Sequence, residues 1–249
     1  TEKPSNSSLF DTLSDIDGII YDRVSNKEEL LGFSVKSMIG GASTLLNAGK
    51  TTNFVYKVAN FDISKIDEIN NIEGRSKIQD RLKRILKNGG HLVFDKISKE
   101  EFEINLRKID TVFPVFIAQM LQDFFLGKAN KIIDLIEILE ANEYLKTTFK
   151  LSKSDYEYKI KNFLVSIALG MVPSKVWDGF TKAHGGYIVV KNNGEVVCYH
   201  LYNRDEFLSY LYENTKFESA SSARHDYGKI YQEDGKMYFN LNLQIRFLK

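Results

Sequence analysis

The chain of 249 residues has one cysteine, no apolar run long enough to cross a membrane, and almost no net charge. The lone Cys198 excludes an intramolecular disulfide and a cysteine-based zinc site. It stands in Glu195-Val196-Val197-Cys198-Tyr199, a strand-like string with nothing near it to lower a thiol pKa. A buried small apolar residue is therefore expected there, not a nucleophile. The longest apolar stretch, 112–126, is interrupted by Gln119, Gln122 and Asp123. It is too short and too polar for a membrane span and reads as a buried helix. The first six residues contain no apolar signal region, so a cytoplasmic protein is expected. The chain lacks a starting Met, which fits a trimmed fragment. Lys and Arg number 34 against 33 Asp and Glu. That balance argues against a general polyanion binder, although a local basic stripe can still hold a phosphate backbone. The histidines His91, His184, His200 and His225 are scattered without zinc-like spacing.

What is present is an ordinary globular composition, 43% hydrophobic and 27% charged, enough for one large domain. Residues 1–14 read as a loose lead-in. Alternation predicts strands at 15–22 and 30–36, paired as an antiparallel hairpin across a turn at 23–28. A bend at Gly40-Gly41 follows, then a short helical turn at 43–46 and a strand at 53–58. Helices are predicted at 75–87, stopped by Gly89-Gly90, and from 98 to about 112, opened by a capping box of Ser98 with Glu101. Further helices are expected at 114–126, 129–145 and 152–169. In the last third, Asn193-Gly194 predicts a type I′ hairpin between 186–191 and 195–202. A helix at 204–212 and a second hairpin, 228–232 with 236–247, complete the chain. The class is α/β or α+β, with a small mixed sheet and an inserted helical region.

One segment can carry chemistry. Cutting a phosphodiester takes a divalent metal held by carboxylates, an attacking water and a cation near the reacting oxygens. A β-hairpin delivers these compactly, because its period of two sets residues i and i+2 on one face. Asp15 or Asp17 on the first strand, with Ser34 and Lys36 on the second, resembles the PD-(D/E)xK pattern of many nucleases. Ser34 stands where that pattern has Asp or Glu, so a second metal ligand must come from elsewhere: Asp17 first, then Glu29, Asp62 or an acid outside the chain. Spacing alone leaves a bland reading in place, with Asp15 a strand-start residue and Lys36 a solvated strand end. Against it, Lys36 ends a largely apolar strand and precedes a glycine bend with room for a ligand.

Other strings were weighed. Gly49-Lys50-Thr51 is not a P-loop, because Thr44 stands where its first glycine would be. Asn47, Lys50 or Thr51 can instead touch DNA phosphate, or simply form a turn. Gly186-Tyr187-Ile188 lacks the second half of a GIY-YIG motif. Arg75, Lys77, Arg81, Lys83, Arg84 and Lys87 make one helix face basic, either solvated or laid on a DNA backbone. For base reading, residues 219–226 present Arg224 and His225, with Asn192, Asn193 and Arg246 as lesser candidates. An Arg can bond guanine O6 and N7 together. The competing reading for Arg224 is a salt bridge with Asp226 or Glu218.

Leu31-Gly32-Phe33-Ser34-Val35-Lys36-Ser37, Ser43-Thr44-Leu45-Leu46-Asn47-Ala48, Thr52-Asn53-Phe54-Val55-Tyr56 and Leu241-Asn242-Leu243-Gln244-Ile245-Arg246-Phe247 together resemble the signature of HpaII-type restriction endonucleases. The resemblance implies a PD-(D/E)xK-like nuclease core and a Mg²⁺-dependent type II enzyme that cuts double-stranded DNA at a short palindrome, CCGG for the namesake. It favours Asp15 as first catalytic acid and metal ligand, with Asp17 in support. Lys36 would orient or activate the attacking water and screen developing charge, and Ser34 would help position water or the lysine. Family members are longer, so an N-terminally truncated single nuclease domain over 1–249 is expected, with its helical region at 75–170 and the hairpins of 186–249 contributing to DNA recognition. A palindromic target favours a homodimer by symmetry matching. A cognate methyltransferase would protect host DNA. The alternative is a non-catalytic DNA-binding module on a degenerate nuclease fold, favoured by Ser34.

Overall fold

Alternating apolar residues and a tight reversal create the first hairpin: β1 (Ile16–Asp22) runs antiparallel to β2 (Lys27–Ser37), with Ile16 opposite Phe33 and Asp17 opposite Gly32. The structure is a computed structural model describing residues 15–23, 26–180, 186–199 and 204–248. The lead-in 1–14, His184, and the end of the hairpin strand expected to reach residue 202 with His200 lie outside the described residues, as do residues 24 and 25 of the predicted turn.

After the glycine bend, β3 (Thr44–Leu46) is a strand, not the helical turn its sequence suggested. Its partner is 200 residues away, and pairing there buries Leu45 and Leu46. β4 (Asn53–Ala59) follows as predicted, then the short α1 (Ile66–Asn70) and α2 (Lys77–Lys87). Gly90 and Gly89 close α2 by returning their N–H groups to Ile85 and Leu86. β5 (His91–Ile97), unforeseen, interrupts the 75–170 stretch and pairs with β4.

The expected box of Ser98 with Glu101 does not form. α3 (Glu100–Ile109) starts without a side-chain cap, Glu101 pairs with Lys99, and Glu103 accepts from the Ile97 N–H. α4 (Phe113–Phe125) begins with Pro in its first turn and is buried along most of its length. The helix expected at 129–145 is two, α5 (Ile132–Glu140) and α6 (Glu143–Phe149), because the Asn142 side chain accepts from the Leu145 N–H and starts a new helix. α7 (Lys153–Ala168) opens on a capping box of Ser152 with Asp155.

β6 (Gly186–Val190) and β7 (Val196–Tyr199) form the next hairpin. Its turn is not type I′. Among Asn192, Asn193 and Gly194 only the glycine has positive φ, +83°, and the Lys191 carbonyl accepts from Gly194 N–H. This is a three-residue loop with the glycine in the left-handed position. The type I′ pair lies at Asp234 and Gly235, both at positive φ. α8 (Arg204–Glu213), β8 (Thr215–Phe217), the single-turn α9 (Ser222–His225), β9 (Ile230–Glu233), β10 (Lys236–Asn242) and β11 (Ile245–Phe247) complete the described chain. The strand foreseen over 236–247 therefore breaks after Asn242 and changes sheets.

Three sheets result, ordered β1-β2-β6-β7, β5-β4-β10-β9 and β3-β11-β8. In the first, β2 and β6 are parallel, with Ser34 beside Tyr187 and Lys36 beside Val189. β7 is an edge strand, which leaves Cys198 exposed and corrects the expectation that it is buried. The mixed α+β arrangement agrees with the predicted class. Phe102, Phe113 and Phe163 from α3, α4 and α7 meet ring to ring in the core, and α7 packs on β3. No helix among the described residues is long and apolar enough to cross a membrane.

Candidate active site

Asp15 sits one residue before β1, and its N–H donates to the Phe33 carbonyl at 2.8 Å, which extends the ladder and sets Asp15 beside Ser34. Carboxylate oxygen Oδ2 accepts from the Val35 N–H at 2.7 Å and from the Ser34 hydroxyl at 3.3 Å. Both bonds fall on one oxygen; Oδ1 has no hydrogen bond among the described residues. Two donors fix the carboxylate's direction before any ligand arrives. Ser34 is buried, and Lys36, two residues on, shares its face and is half-buried. The Lys36 amine has no ion-pair or hydrogen-bond partner among the described residues.

Asp15, Ser34 and Lys36 line one wall of a cleft of about 400 Å³. Leu45, Leu46, Asn47, Ala48 and Thr51 form its floor side, and residues 167–174, the end of α7 and the turn after it, form the far wall. That far wall is built, not loose. Met171 and Gly170 return their N–H groups to Ser166 and Ile167, closing the helix. The fully buried Asn105 of α3 donates to the Val172 and Lys175 carbonyls at 3.1 and 2.8 Å and accepts from Trp177 N–H at 2.7 Å.

The other candidate ligands lie apart. Asp17 is exposed in β1, opposite Gly32, and does not line the cleft. The Asp62 carboxylate accepts from Ser64 N–H and Oγ at the start of a short 3₁₀ turn; these bonds hold its pKa below the usual carboxylate range. The Glu29 side chain lies outside the described residues. Among the described residues, no group of three or more His, Cys, Asp or Glu is placed to hold a metal, and Asp15 is the one acid lining the cleft.

Of the residues expected to touch DNA, Asn47 lines the cleft. Lys50 lies just outside it, in a 3.4 Å ion pair with Asp226. Arg224 is exposed on α9 and makes no ion pair among the described residues. Asp226 is taken by Lys50, and Glu218 by Lys216 and Arg246. His225 is half-buried, and its carbonyl accepts from Asn53. Arg246 is already engaged: one Nη donates to Glu218 at 2.9 Å and the other to the Ala42 carbonyl at 2.5 Å. Asn192 and Asn193 are exposed in the β6–β7 turn. The basic helix face is not one surface. Arg81 is 1% exposed and bonds carbonyls inside the protein, Lys77 pairs with Glu73, and Arg84 with Glu68.

Two polar features escaped sequence reasoning. Thr52, Asn53 and Asn242 are buried together beneath the loop that lines the cleft. Tyr187, beside Ser34, is fully buried, and its hydroxyl has no hydrogen-bond partner among the described residues; burial, then Tyr210 and Asp15, push its pKa far up. Nothing in the sequence announced either, since Asn242 between Leu241 and Leu243 reads as the solvent face of an alternating strand.

The HpaII restriction endonuclease family model matches residues 6–247. The type II restriction enzyme HpaII of Haemophilus parainfluenzae is 43% identical over 235 residues, which cover 94% of this chain and 65% of that protein. This chain thus spans a little under two thirds of that relative's length. No solved structure matches.

Proposed function

The chain belongs to the HpaII restriction endonuclease family, and from that premise we propose that it provides the nuclease function of a type II restriction endonuclease acting on double-stranded DNA. The observation that carries the reading is the cleft itself: on one wall an oriented carboxylate, Asp15, and an amine, Lys36, unpaired among the described residues. The β1–β2 hairpin with parallel β6 beside it supports a PD-(D/E)xK-type core in which Ser34 replaces the second acid.

The donor set suits Mg²⁺, which commonly takes one or two carboxylates and completes its shell with waters and substrate phosphate. Asp15 would hold the ion through Oδ1, which has no hydrogen bond among the described residues, and water and substrate phosphate would complete the shell, since Asp17 does not line the cleft. Bound there, Mg²⁺ would acidify a water and neutralise charge on the phosphate. The protein's own part is positional. The Val35 N–H and Ser34 hydroxyl keep Asp15 aimed. Lys36 orients the attacking water by donating to it and screens the charge that develops on the phosphate oxygens. The walls at 45–51 and 167–174 hold the strand in place. Arg224 and the 219–226 turn read base edges, with CCGG as the target and a homodimer matching its symmetry. A methyltransferase of the same specificity protects the host.

Plasmid cleavage tests this directly. With Mg²⁺ the protein is expected to cut a CCGG-containing plasmid, and Lys36→Ala to lose on the order of a hundredfold or more in rate while still binding. A protein that binds DNA and never cuts would instead support the second reading, a non-catalytic DNA-binding module. That reading is favoured by Ser34 and by the lack of a larger ligand cluster among the described residues. Equal cutting of scrambled and CCGG duplexes would remove the specificity claim.

A further inference from the structure

The turn bearing Arg224 and the floor of the cleft are separate in sequence but joined by one buried polar clip. Asn242, the last residue of β10, lies opposite Asn53, the first of β4. Its side-chain amide donates to the Gly49 carbonyl at 2.7 Å, to Asn53 Oδ1 at 2.7 Å and to Thr52 Oγ1 at 3.2 Å. Thr52 closes the Gly49 turn on itself, accepting from Gly49 N–H and donating to Gly49 O. Asn53 then passes the connection outward: its amide donates to the carbonyls of His225 at 2.8 Å and Asp226 at 3.3 Å. Thr52, Asn53 and Asn242 are each at most 3% exposed, so water does not compete for these bonds.

One end of this clip is the 221–226 turn. The other is the 47–52 loop, which supplies Asn47, Ala48 and Thr51 to the cleft that Lys36 also lines. Asn53 uses its amide donors on that turn, and its oxygen on Asn242. A displacement of the turn of a few tenths of an ångström must therefore stretch short buried bonds or carry the loop with it.

We infer that Asn53, held by Asn242, is a positioning residue that couples the DNA-reading turn at 221–226 to the wall of the cleavage cleft. It touches neither DNA nor metal. When the turn seats on the correct bases, the clip brings the 47–52 loop to its working position; on a mismatched site the turn seats badly and the loop follows it out. The inference rests on the endonuclease reading above.

The test compares Asn53→Ala with Asn70→Ala, a control that removes a side chain making paired 2.8 Å bonds with the Ile230 backbone and lining no part of the cleft. Single-turnover cleavage and binding are measured on a CCGG duplex and on one with a single mismatch, below the melting temperature of either variant. Asn53→Ala is expected to bind the cognate duplex nearly as the natural protein does, to cut it roughly ten- to a hundredfold more slowly, and to lose much of its cognate-to-mismatch rate ratio. Asn70→Ala should keep both rate and ratio. If Asn53→Ala fails to fold, Asn53→Ser keeps a shorter donor and should show an intermediate loss. Natural protein that binds without cutting would overturn the endonuclease reading. Cutting by the natural protein, with Asn53 and Asn70 variants alike in rate and ratio, would overturn the coupling alone.

Discussion

Replacing Arg81 by methionine keeps the aliphatic stem and removes the guanidinium, and the structure sets the size of the effect. Nη1 donates to the Gly228 carbonyl at 2.6 Å, Nη2 to Asn70 at 2.8 Å and Ile72 at 2.7 Å, and Nε to Ile72 at 3.1 Å. The one ion-pair contact, to Glu73 at 3.4 Å, reaches an exposed carboxylate and contributes little. Hydrogen bonds to a charged donor are each worth about 1.5–3 kcal/mol, and three carbonyls lose theirs. Release of a buried charge offsets part of this, so a net loss of about 4 kcal/mol is expected. For a chain of this length, each kcal/mol shifts Tm by about 2–4 °C, so the melting temperature should fall roughly 8–16 °C. Thermal unfolding followed by circular dichroism reads that shift, and the salt dependence of DNA binding is measured beside it. The slope should stay unchanged, because Arg81 reaches no solvent. A Tm within about 3 °C of the natural protein, or a slope reduced by about one unit, would refute the assignment and return Arg81 to the DNA-facing stripe.

Two further outcomes concern Gly228, beside Arg81, and Glu218, in the ion pairs beside β8 and β11. Gly228 has φ of +81°, and a Cβ there would lie 2.9 Å from Ile78 Cγ1, so Gly228→Ala combines backbone strain with overpacking. A loss of roughly 3 kcal/mol in urea unfolding is expected, partly recovered by adding Ile78→Val; no recovery would mean that the contact is not the cause. Burial raises the Glu218 pKa, but bonds from Lys216 and Arg246 outweigh it and hold the carboxyl below its ordinary 4.5. A depressed folded pKa gives stability that is fully present above the unfolded value and is lost as pH falls below about 4.5 through the folded value. Glu218→Gln should therefore lie further below the natural protein in urea midpoint at pH 6 than at pH 3.5, and a gap independent of pH would contradict the assignment.

Periodicity made the local elements legible, and failed where a distant partner decided. Residues 44–46 carry two leucines that fit a helical turn as well as a strand; pairing with β11 decides, and nothing local announces it. Cys198 sits in a strand as expected, but a strand's two faces differ only once its neighbours are known, and among the described residues β7 has one on one side only. In α2 the information was present and misread. Arg81 falls three residues after Ile78 and four before Ile85, inside the buried stripe, so its spacing predicts an inward guanidinium even though its charge suggests an outward one. Asp15, Ser34 and Lys36 were legible because alternation alone sets them on a hairpin face. The far wall at 167–174 was not, since it reaches the hairpin only through the packing of α7 on β3 and the Asn105 bonds.

Serine at position 34 changes what the hairpin must do for itself. A second carboxylate there would face Asp15 Oδ2, and two like charges so placed repel each other until a cation separates them. The hydroxyl reverses that relation: it donates to Asp15 instead of repelling it. The Val35 N–H does the same from the main chain, at a position fixed by strand pairing and beyond the reach of side-chain substitution. β2 is held on both sides, by β1 and by parallel β6, so the spacing of Asp15 to Lys36 is set by sheet geometry. In the proposed reaction the hairpin therefore brings one carboxylate already aimed by two donors. The remaining places around Mg²⁺ are left to water and to the DNA phosphate itself, which would make ion binding tighter when the substrate is present than when it is absent.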